Sequence, residues 1–520
     1  MTWKVDAVTA HAAQQLAAMS VGRPAVTRLR LRIRHGQPPQ GWVGAPGLSG
    51  LMAASIRDRG EGSQVDLQSA EPVDPALLMA AALRMARPWA GRVGPGIALA
   101  PGLGQRAAPL APYAFDVSLP DEPRNPHLRR HDLVIAPTDR AIQDPPYAQL
   151  VVIEPGTDQY TWQVAGEARR VLVDPTVHRP FGRRSSGVDL IGSAALGGTE
   201  LRITAEGVDM RIRGDLTSGE VHRLRAVTGL VVPHDLPEHW GAQLQACGIV
   251  LAADRESLPT DDLDWQLASV GTRVATLRDL GPQAALGEWP SVSVILLTHR
   301  ADFIDHAVRQ LAKLQYPRLQ FVIGAHGIEI SEKRLAPLRA IADVTTIQLD
   351  PALPFGSAMQ QACQLGDGDL IAKVDDDDYY APSHLWDVVI AHAYSGAQVV
   401  GKALDWIHVA PDDVTVFRPA YPAEQYATFV AGGTMLISRG DLAAVGGWRP
   451  VERSIDRGLI DRVQAAGGLV YRTHGLGYVY MRRSDRHTAQ ARNSHFLTKV
   501  ARQWPGLLAH QALGTQVQDE

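Results

Sequence analysis

Hydrophobic and polar positions follow two kinds of pattern along the first 285 residues. Residues 27–35 (TRLRLRIRH) alternate arginine with leucine and isoleucine, which predicts a half-buried strand with solvated arginines. Residues 75–87 predict a helix, and residues 203–212 alternate like an edge strand. Short apolar runs that end at or near a proline are typical of buried strands in a parallel α/β sheet. They occupy residues 132–137, 149–155, 169–175 and 228–233.

The pattern becomes more regular after residue 290. A buried strand is predicted at 291–298 (SVSVILLT), followed by a helix at 302–314 with its apolar residues on one face. Strands alternating with helices predict a parallel, doubly wound sheet, in which ligands bind outside the carboxyl ends of the strands. The other predicted elements are strands at 319–323, 344–349 and 370–374 and a helix at 357–365. The last of these strands leads directly into Asp375–Asp378.

Composition narrows the class of protein. A chain of 520 residues, 45% hydrophobic and 20% charged, is long enough for two to four folded domains. Its 51 basic and 55 acidic residues argue against a dedicated nucleic-acid binder, since such proteins usually contain a strongly basic domain. With no apolar run of bilayer length and no secretory signal, we expect a cytoplasmic protein. Cys247 and Cys363 lie too far apart in sequence for a disulfide framework or a zinc knuckle, and we interpret them as small core residues.

Turn-forming residues at 278–290 (RDLGPQAALGEWP) predict the main domain boundary. We therefore expect an α/β, Rossmann-like region at 1–285, a second α/β domain at 286–500 and a tail at 501–520. The first region contains no G-x-G-x-x-G motif followed by an acidic residue, so a dinucleotide site is unsupported. Its arginine-rich strand would alternatively bind phosphate or nucleic acid.

The four adjacent aspartates of LIAKVDDDDYYAP (370–382) are the most informative feature of the sequence. Adjacent carboxylates repel one another, so a buried strand that delivers them into a cleft predicts an oxygen-ligand site for Mg²⁺ or Mn²⁺. An acidic, solvated turn is the alternative. A calcium-binding EF-hand loop is excluded, because the required glycine and glutamate are missing.

Residues 290 to about 490 resemble a family 2 glycosyltransferase domain of the GT-A fold. QQACQLGDGDLIAKVDDDDYYAP follows the spacing of that family around its D-x-D motif, which would comprise Asp375 and Asp377 with Asp378 beside it. FVAGGTMLISRGDLAAVGGWRP resembles the acceptor-side segment, and YVYMRRSDRHTA resembles the late "R…H-T" segment. The resemblance implies a metal-dependent, inverting transfer of a sugar from a nucleoside-diphosphate sugar to a hydroxyl acceptor. A UDP-sugar is the leading candidate for the donor.

Residue roles follow from the same resemblance. Asp375, Asp377 and His487 would hold Mn²⁺ or Mg²⁺, and Asp456 would be the general base. A helix N-cap is the alternative reading of Asp456, and a core position is the alternative for Trp448. The donor- and substrate-binding candidates are Thr298, Arg300, His326, Asp375, Asp376, Gly432, Gly433, Trp448, Arg482 and Arg483.

The sequence departs from the family pattern at three positions. The acidic residues that usually recognise the nucleobase are replaced by Ala325-His326-Gly327, the "N-x-G" segment is Gln360-Gln361-Ala362, and the glutamate of the "E-D" pair is Ile455. A catalytically inactive scaffold that binds a glycan or a protein is therefore the competing hypothesis. A nucleotidyltransferase would need a glycine-rich loop after the first strand, and LLTHRADF has none.

The resemblance leaves the first half of the chain without an assigned role. The segment VLVDPTVHRPFGRR (171–184) faintly resembles the nucleotide-sugar lobes of GT-B glycosyltransferases, which would make this half a degenerate transferase lobe. Alternatively, it would hold the acceptor, dock a partner or mediate a homo-oligomer. The acceptor would be a glycan, a lipid-linked or cell-envelope polysaccharide, or a protein, and no nucleic-acid partner is expected. A lipid-linked acceptor would bring the protein loosely to the inner face of the membrane.

Overall fold

The computed structural model divides into two compact units. The first comprises Met1–Arg179, Asp189–Arg255 and Ala275–Glu288, and the second comprises Pro180–Val188, Glu256–Val274 and Trp289–Glu520. The structure describes residues 2–7, 13, 24–34, 46, 48–59, 62–86, 97–99, 117–118, 133–137, 150–153, 160–163, 173, 178, 190–280, 289–395, 397–466, 468–483 and 493–516.

The described residues of the first unit form three sheets. Its strands are β1 (Thr2–Ala7), β2 (Val26–Ile33), β3 (Leu51–Arg59), β4 (Gly62–Val73), β5 (Ile97–Leu99), β6 (Val117–Ser118), β7 (Leu133–Pro137), β8 (Leu150–Ile153), β9 (Tyr160–Gln163), β10 (Leu190–Gly197), β11 (Glu200–Ala205), β12 (Val208–Arg213), β13 (Val227–Val231) and β14 (Val250–Ala252). Its helices are α1 (Pro75–Ala86), α2 (Ser218–Arg223) and α3 (Glu238–Ala246), and α4 (Asp262–Leu280) belongs to the second unit as far as Val274.

The arginine-alternating segment is a strand, as predicted. β2 lies inside the sheet β1-β2-β4-β3, where Leu29, Leu31 and Ile33 are buried and the intervening arginines are exposed. The apolar face packs in one core with Leu78 and Met79 of α1. This alternation follows from the strand geometry, which points successive side chains to opposite faces.

The other sheets of this unit are mixed rather than parallel. In the order β12-β11-β10-β13-β14, β10 pairs parallel with β13 but antiparallel with β11. The predicted edge strand at 203–212 is wrong in one respect, because Gly207, at φ +70°, turns the chain and makes β11 and β12 a hairpin. In the order β6-β5-β7-β8-β9, β9 is the antiparallel strand. The predicted run at 169–175 lies outside the described residues except for Val173.

In the second unit, the part of the chain that the structure describes forms an eight-stranded sheet and a five-stranded sheet. Its strands are β15 (Val292–Thr298), β16 (Leu319–His326), β17 (Asp343–Leu349), β18 (Leu370–Val374), β19 (Tyr379–Tyr380), β20 (Val399–Lys402), β21 (Trp406–Val409), β22 (Val414–Phe417), β23 (Gln425–Tyr426), β24 (Leu436–Ser438), β25 (Val470–Thr473), β26 (Tyr478–Arg482) and β27 (Arg502–Pro505). Its further helices are α5 (Ile304–Leu311), α6 (Glu332–Arg339), α7 (Phe355–Gln364), α8 (His384–Ser395), α9 (Arg439–Ala444), α10 (Ile455–Ala465) and α11 (Asn493–Phe496).

The larger sheet positions the candidate site. Its order is β17-β16-β15-β18-β24-β20-β25-β23, and the first four strands are parallel as predicted. The chain passes outward from β15 to β17 and then returns to the other side of β15 as β18. The carboxyl ends of β15 and β18 therefore flank a switch in strand order, which is where open α/β sheets bind ligands.

The remaining strands make the fold mixed α/β rather than a wholly parallel sheet. β24 and β23 are antiparallel to their neighbours. The five-stranded sheet, β19-β26-β21-β22-β27, is not predicted by the pattern, because its strands have five residues or fewer. Within the described ranges, no helix combines the length and the apolar character needed to span a membrane.

Candidate functional site

The four aspartates that follow β18 differ in their exposure. The side chain of Asp375 is 36% exposed, whereas those of Asp376, Asp377 and Asp378 are buried. Three buried carboxylates need cations or hydrogen-bond donors around them, because removing an ionised carboxylate from water costs several kcal/mol. The run is therefore not the solvated acidic turn that was the alternative interpretation.

Asp375 and Asp456 converge on one buried lysine. Lys373 on β18 is 4% exposed, and its Nζ lies 2.7 Å from Asp375 Oδ1 and 3.5 Å from Asp456 Oδ1. The same Nζ donates a hydrogen bond to Gly432 O at 3.2 Å. Burial alone would lower the pKa of Lys373, but Asp375 and Asp456 more than offset this effect and raise it. Lys373 therefore stays charged between the two carboxylates.

Asp456 lies in the first turn of α10 and is not the helix N-cap. The N-cap is Ser454, which has a left-handed backbone at φ 58°. Ile455, which stands where the family has glutamate, is buried in the core that packs against the eight-stranded sheet. The helix therefore uses Ile455 as an anchor and directs Asp456 toward Gly432. Burial raises the pKa of Asp456, Lys373 lowers it and Asp375 raises it.

Gly432 and Gly433 leave room for these carboxylates. A Cβ built on Gly432 would lie 2.3 Å from Asp456 Oδ2, and one built on Gly433 would lie 2.8 Å from Asp375 Oδ2. Both distances are far below any normal contact, so a larger residue at either position would displace a carboxylate. The predicted glycine pair is thus in contact with two predicted site residues.

Arginines balance the charge of Asp376 and Asp377. Arg300, two residues beyond β15, donates to both carboxylates, with its Nη1 3.0 Å from Asp377 Oδ2. Thr298 Oγ1 also donates to Asp376. Arg483 Nε lies 3.7 Å from Asp377 Oδ2. Burial raises the pKa of Asp376, and Arg300 opposes this rise.

Asp378 is a structural carboxylate inside this cluster. Its oxygens accept hydrogen bonds from Tyr478 Oη at 2.7 Å and from the backbone N–H of Met481 at 2.8 Å. Burial and the neighbouring Asp377 raise its pKa well above the ordinary range. Tyr380 is next to it and joins two parts of the site, because its Oη accepts from Asp375 N at 2.8 Å and donates to Gly433 O at 2.9 Å.

His326 ends β16 with both ring nitrogens buried and, among the described residues, without a hydrogen-bond partner. Its ring lies 6.3 Å from that of Phe355, measured between ring centroids. An unpaired imidazole at the carboxyl end of a parallel strand is suited to a ligand that supplies a hydrogen bond. The position of His326 is therefore compatible with the predicted donor-side role.

Two predicted residues lie elsewhere. Trp448 is 4% exposed and its Nε1 donates to Cys363 Sγ at 3.2 Å, so its ring is a core side chain rather than a platform for a sugar. Arg482 is buried, with its Nε donating to Asn493 Oδ1 at 2.8 Å. Successive residues of a strand point to opposite faces, which explains why Arg483 reaches Asp377 and Arg482 does not. His487 lies outside the described residues.

The predicted metal-ligand set fits the cleft only in part. Asp375 offers an exposed carboxylate, and Mg²⁺ or Mn²⁺ typically needs one or two protein carboxylates beside the phosphates of a substrate. Both oxygens of Asp377 instead face Arg300, at 2.9 and 3.0 Å. Among the described residues, the only triplet with all its donor atoms within metal-ligand reach is Asp261, Asp264 and His510, none of which is a predicted ligand. Asp377 could bind an ion only if Arg300 moved.

The sequence reasoning missed Lys373, Tyr380 and Tyr478. The signal for Lys373 was present, because a lysine inside an otherwise apolar strand (LIAKV) requires a buried anionic partner. The two tyrosines carry no such signal, since aromatic residues are common in strands whatever their function.

Comparisons with known proteins found similarity only to solved structures, and only over part of the chain. No family model matches the chain, and no curated protein matches it. Part of the chain is similar to the mannosyltransferase PcManGT from Pyrobaculum calidifontis in complex with GDP-Man and Mn²⁺ (TM-score 0.30, 15% identity, 37% of this chain and 57% of that one). Residues 1–349 of S. aureus TarS in complex with UDP-GlcNAc give a TM-score of 0.32 at 16% identity, over 39% of this chain and 61% of that one. GalNAc-T7 with UDP, GalNAc and Mn²⁺ gives 0.32 at 11% identity, over 38% and 45%. The chain thus spans less than two thirds of each of these three structures.

Proposed function

We propose that the cleft at the ends of β15 and β18 binds a nucleoside-diphosphate sugar and transfers the sugar to a hydroxyl acceptor. One observation carries the proposal: Asp375 and Asp456, from elements 81 positions apart, meet at the Gly432–Gly433 turn, and each keeps about a third of its side chain exposed. Two accessible carboxylates beside a strand-order switch suit a reaction that needs one group for the donor and another for the acceptor.

Asp456 is the proposed general base. Its Oδ1 is buried against Lys373, which leaves Oδ2 as the oxygen able to accept a proton. The acceptor hydroxyl would transfer its proton to Oδ2 while its oxygen bonds to the anomeric carbon of the sugar. The bond from that carbon to the diphosphate breaks, and the nucleoside diphosphate leaves with the electron pair. Attack opposite the leaving group inverts the anomeric centre.

The donor side of the proposal rests on Asp375 and on the cations near it. Asp375 would be a carboxylate ligand of Mn²⁺ or Mg²⁺, and the ion, when bound, would offset the charge of the leaving diphosphate. Arg300 and Arg483 are held at Asp377 on the same edge of the sheet, where guanidinium groups can also bind phosphate oxygens. His326 would contact the donor from the end of β16. The nucleotide, the sugar and the acceptor stay predictions.

The test is release of nucleoside diphosphate from a panel of nucleotide sugars with Mn²⁺, including UDP-GlcNAc and GDP-Man. Asp456→Asn is expected to lower the rate about 100-fold or more, since general base catalysis contributes ~10²–10⁴-fold. Asp461→Asn is the matched control, because Asp461 lies on the same helix but forms an exposed ion pair with Arg457. No release from any donor, or equal rates in the two variants, would contradict the proposal and favour the inactive scaffold.

We expect a cytoplasmic enzyme that meets a glycan, a lipid-linked acceptor or a protein acceptor.

A further inference from the structure

Lys373 has an unusual position for a lysine. It is the fourth residue of a five-residue strand whose side chains are all buried, and lysine is almost never fully buried without a partner. Its three partners are Asp375 Oδ1, Asp456 Oδ1 and Gly432 O, at 2.7, 3.5 and 3.2 Å. Each partner belongs to a different segment: the end of β18, the start of α10 and the glycine turn.

These contacts determine which oxygen of each carboxylate lies over the glycine turn. On Asp456, Oδ1 is buried and Lys373 is its ionic neighbour, whereas Oδ2 lies over Gly432. On Asp375, Oδ1 accepts from Lys373 and Oδ2 lies over Gly433. A single ammonium group therefore turns the second oxygen of both carboxylates toward the same turn. Without it, two negative groups would repel each other across this space.

We infer that Lys373 is a positioning residue that holds the donor-side carboxylate Asp375 and the base Asp456 in register with each other. The inference rests on the proposed function and deepens it. Lys373 does not touch the reacting atoms, and it acts by fixing the orientation of Asp456 and by balancing the charge of the two carboxylates. It also competes with a metal ion for Asp375, because both are attracted to the same carboxylate.

The test is a double-mutant cycle on kcat for nucleoside diphosphate release, using Lys373→Met and Asp456→Asn. K373M alone is expected to lower kcat about 10- to 100-fold, as loss of a group that orients a reactive residue typically does. In the D456N background, K373M is expected to lower kcat by less than about 3-fold further, because Lys373 affects turnover through Asp456, whereas its contact with Asp375 affects nucleotide binding. K373R, which keeps the charge, is expected to restore part of the rate.

A second readout is independent of turnover. Removing the competing ammonium is expected to leave the Kd of UDP–Mn²⁺, measured by calorimetry, unchanged or lower while kcat falls. A purely structural lysine would weaken binding and turnover together. Lys402→Met is the matched control, since Lys402 is also fully buried but its Nζ pairs with Asp387 at 2.5 Å. K373Q is made alongside K373M as a second uncharged variant. If one of the two unfolds at the assay temperature, the other is used for the measurement.

The outcomes separate the inference from the proposed function. Additive losses in the cycle, or weakened binding with unchanged kcat, would overturn the role of Lys373 while the wild type still releases nucleoside diphosphate. A wild type that binds no nucleotide and releases none would overturn the proposed function, and the inference with it. K402M is expected to lower the melting temperature without the kcat-specific loss, and an equal kcat loss in K402M would also contradict the inference.

Discussion

The contact between Gly432 and Asp456 allows a sharp prediction for Gly432→Ala. The new Cβ would lie 2.3 Å from Asp456 Oδ2, whereas ordinary contacts begin at 3.4 Å, so the carboxylate must retreat by about 1 Å. A misplacement of about 1 Å can cost ~100-fold in rate, because the base loses hydrogen-bond reach of the acceptor. The side chain can rotate away, so we expect a melting temperature close to that of the wild type.

The assay is nucleoside diphosphate release with the best donor of the panel, together with calorimetry of the nucleotide. G432A is expected to lower kcat about 100-fold and to leave nucleotide affinity within about 3-fold. Gly458→Ala is the matched control, because Gly458 lies in α10, the helix that carries Asp456, and its added Cβ would meet Arg449 Cδ at an ordinary 3.6 Å. It should keep full activity and gain up to about 1 kcal/mol of stability, since alanine favours helix. A normal kcat in G432A, or an equal loss in G458A, would refute the reasoning.

Three further predictions concern Asp375, Tyr380 and His384. Asp375→Asn should weaken Mn²⁺-dependent nucleotide binding about 10- to 100-fold, with Asp461→Asn unchanged in calorimetry; equal affinities would exclude Asp375 as a donor-side group. Tyr380→Phe should lower the free energy of unfolding by about 1–3 kcal/mol, since two backbone partners lose their hydrogen bond. The control is Tyr426→Phe, which loses one hydrogen bond to Ser395 O, and thermal melts should show a smaller loss of stability in this variant. Burial lowers the pKa of His384 to about 3, so the unfolded chain binds more protons between that pH and about 6.5, and stability should fall as pH decreases through this range. Melting temperatures from pH 8 to 5.5 should therefore depend less on pH in His384→Leu than in the wild type; an identical slope would show that His384 is not responsible.

The local hydrophobic pattern was sufficient to predict the strands whose carboxyl ends form the candidate site. The run that ends at Val374 is a buried strand with the predicted bounds, and the aspartates follow it at a carboxyl end. β15 and β17 begin within one residue of their predicted starts. Continuous apolar runs report burial reliably, because each residue contributes to the same core.

Local pattern did not report which charges meet in space. Spacing alone cannot tell that Asp375 is partly exposed while Asp377 is buried against Arg300, since that depends on a side chain from the loop after β15. The meeting of Asp456 with Lys373 is a contact between residues far apart in sequence, and it depends on how α10 packs through Ile455. The direction of β24 and the five-stranded sheet escaped for a related reason, because short strands take their direction from their neighbours and not from their own periodicity.

The most direct test of the central claim is calorimetric titration of UDP, GDP, dTDP and CDP into the full chain, with and without Mn²⁺. We expect one nucleotide to bind in the presence of Mn²⁺, and Asp375→Asn to weaken this binding about 10- to 100-fold. Asp377→Asn is measured alongside and decides whether the carboxylate held by Arg300 also contributes. If no nucleotide binds under any metal condition, the cleft between β15 and β18 is not a donor site, and the proposed transfer reaction is wrong.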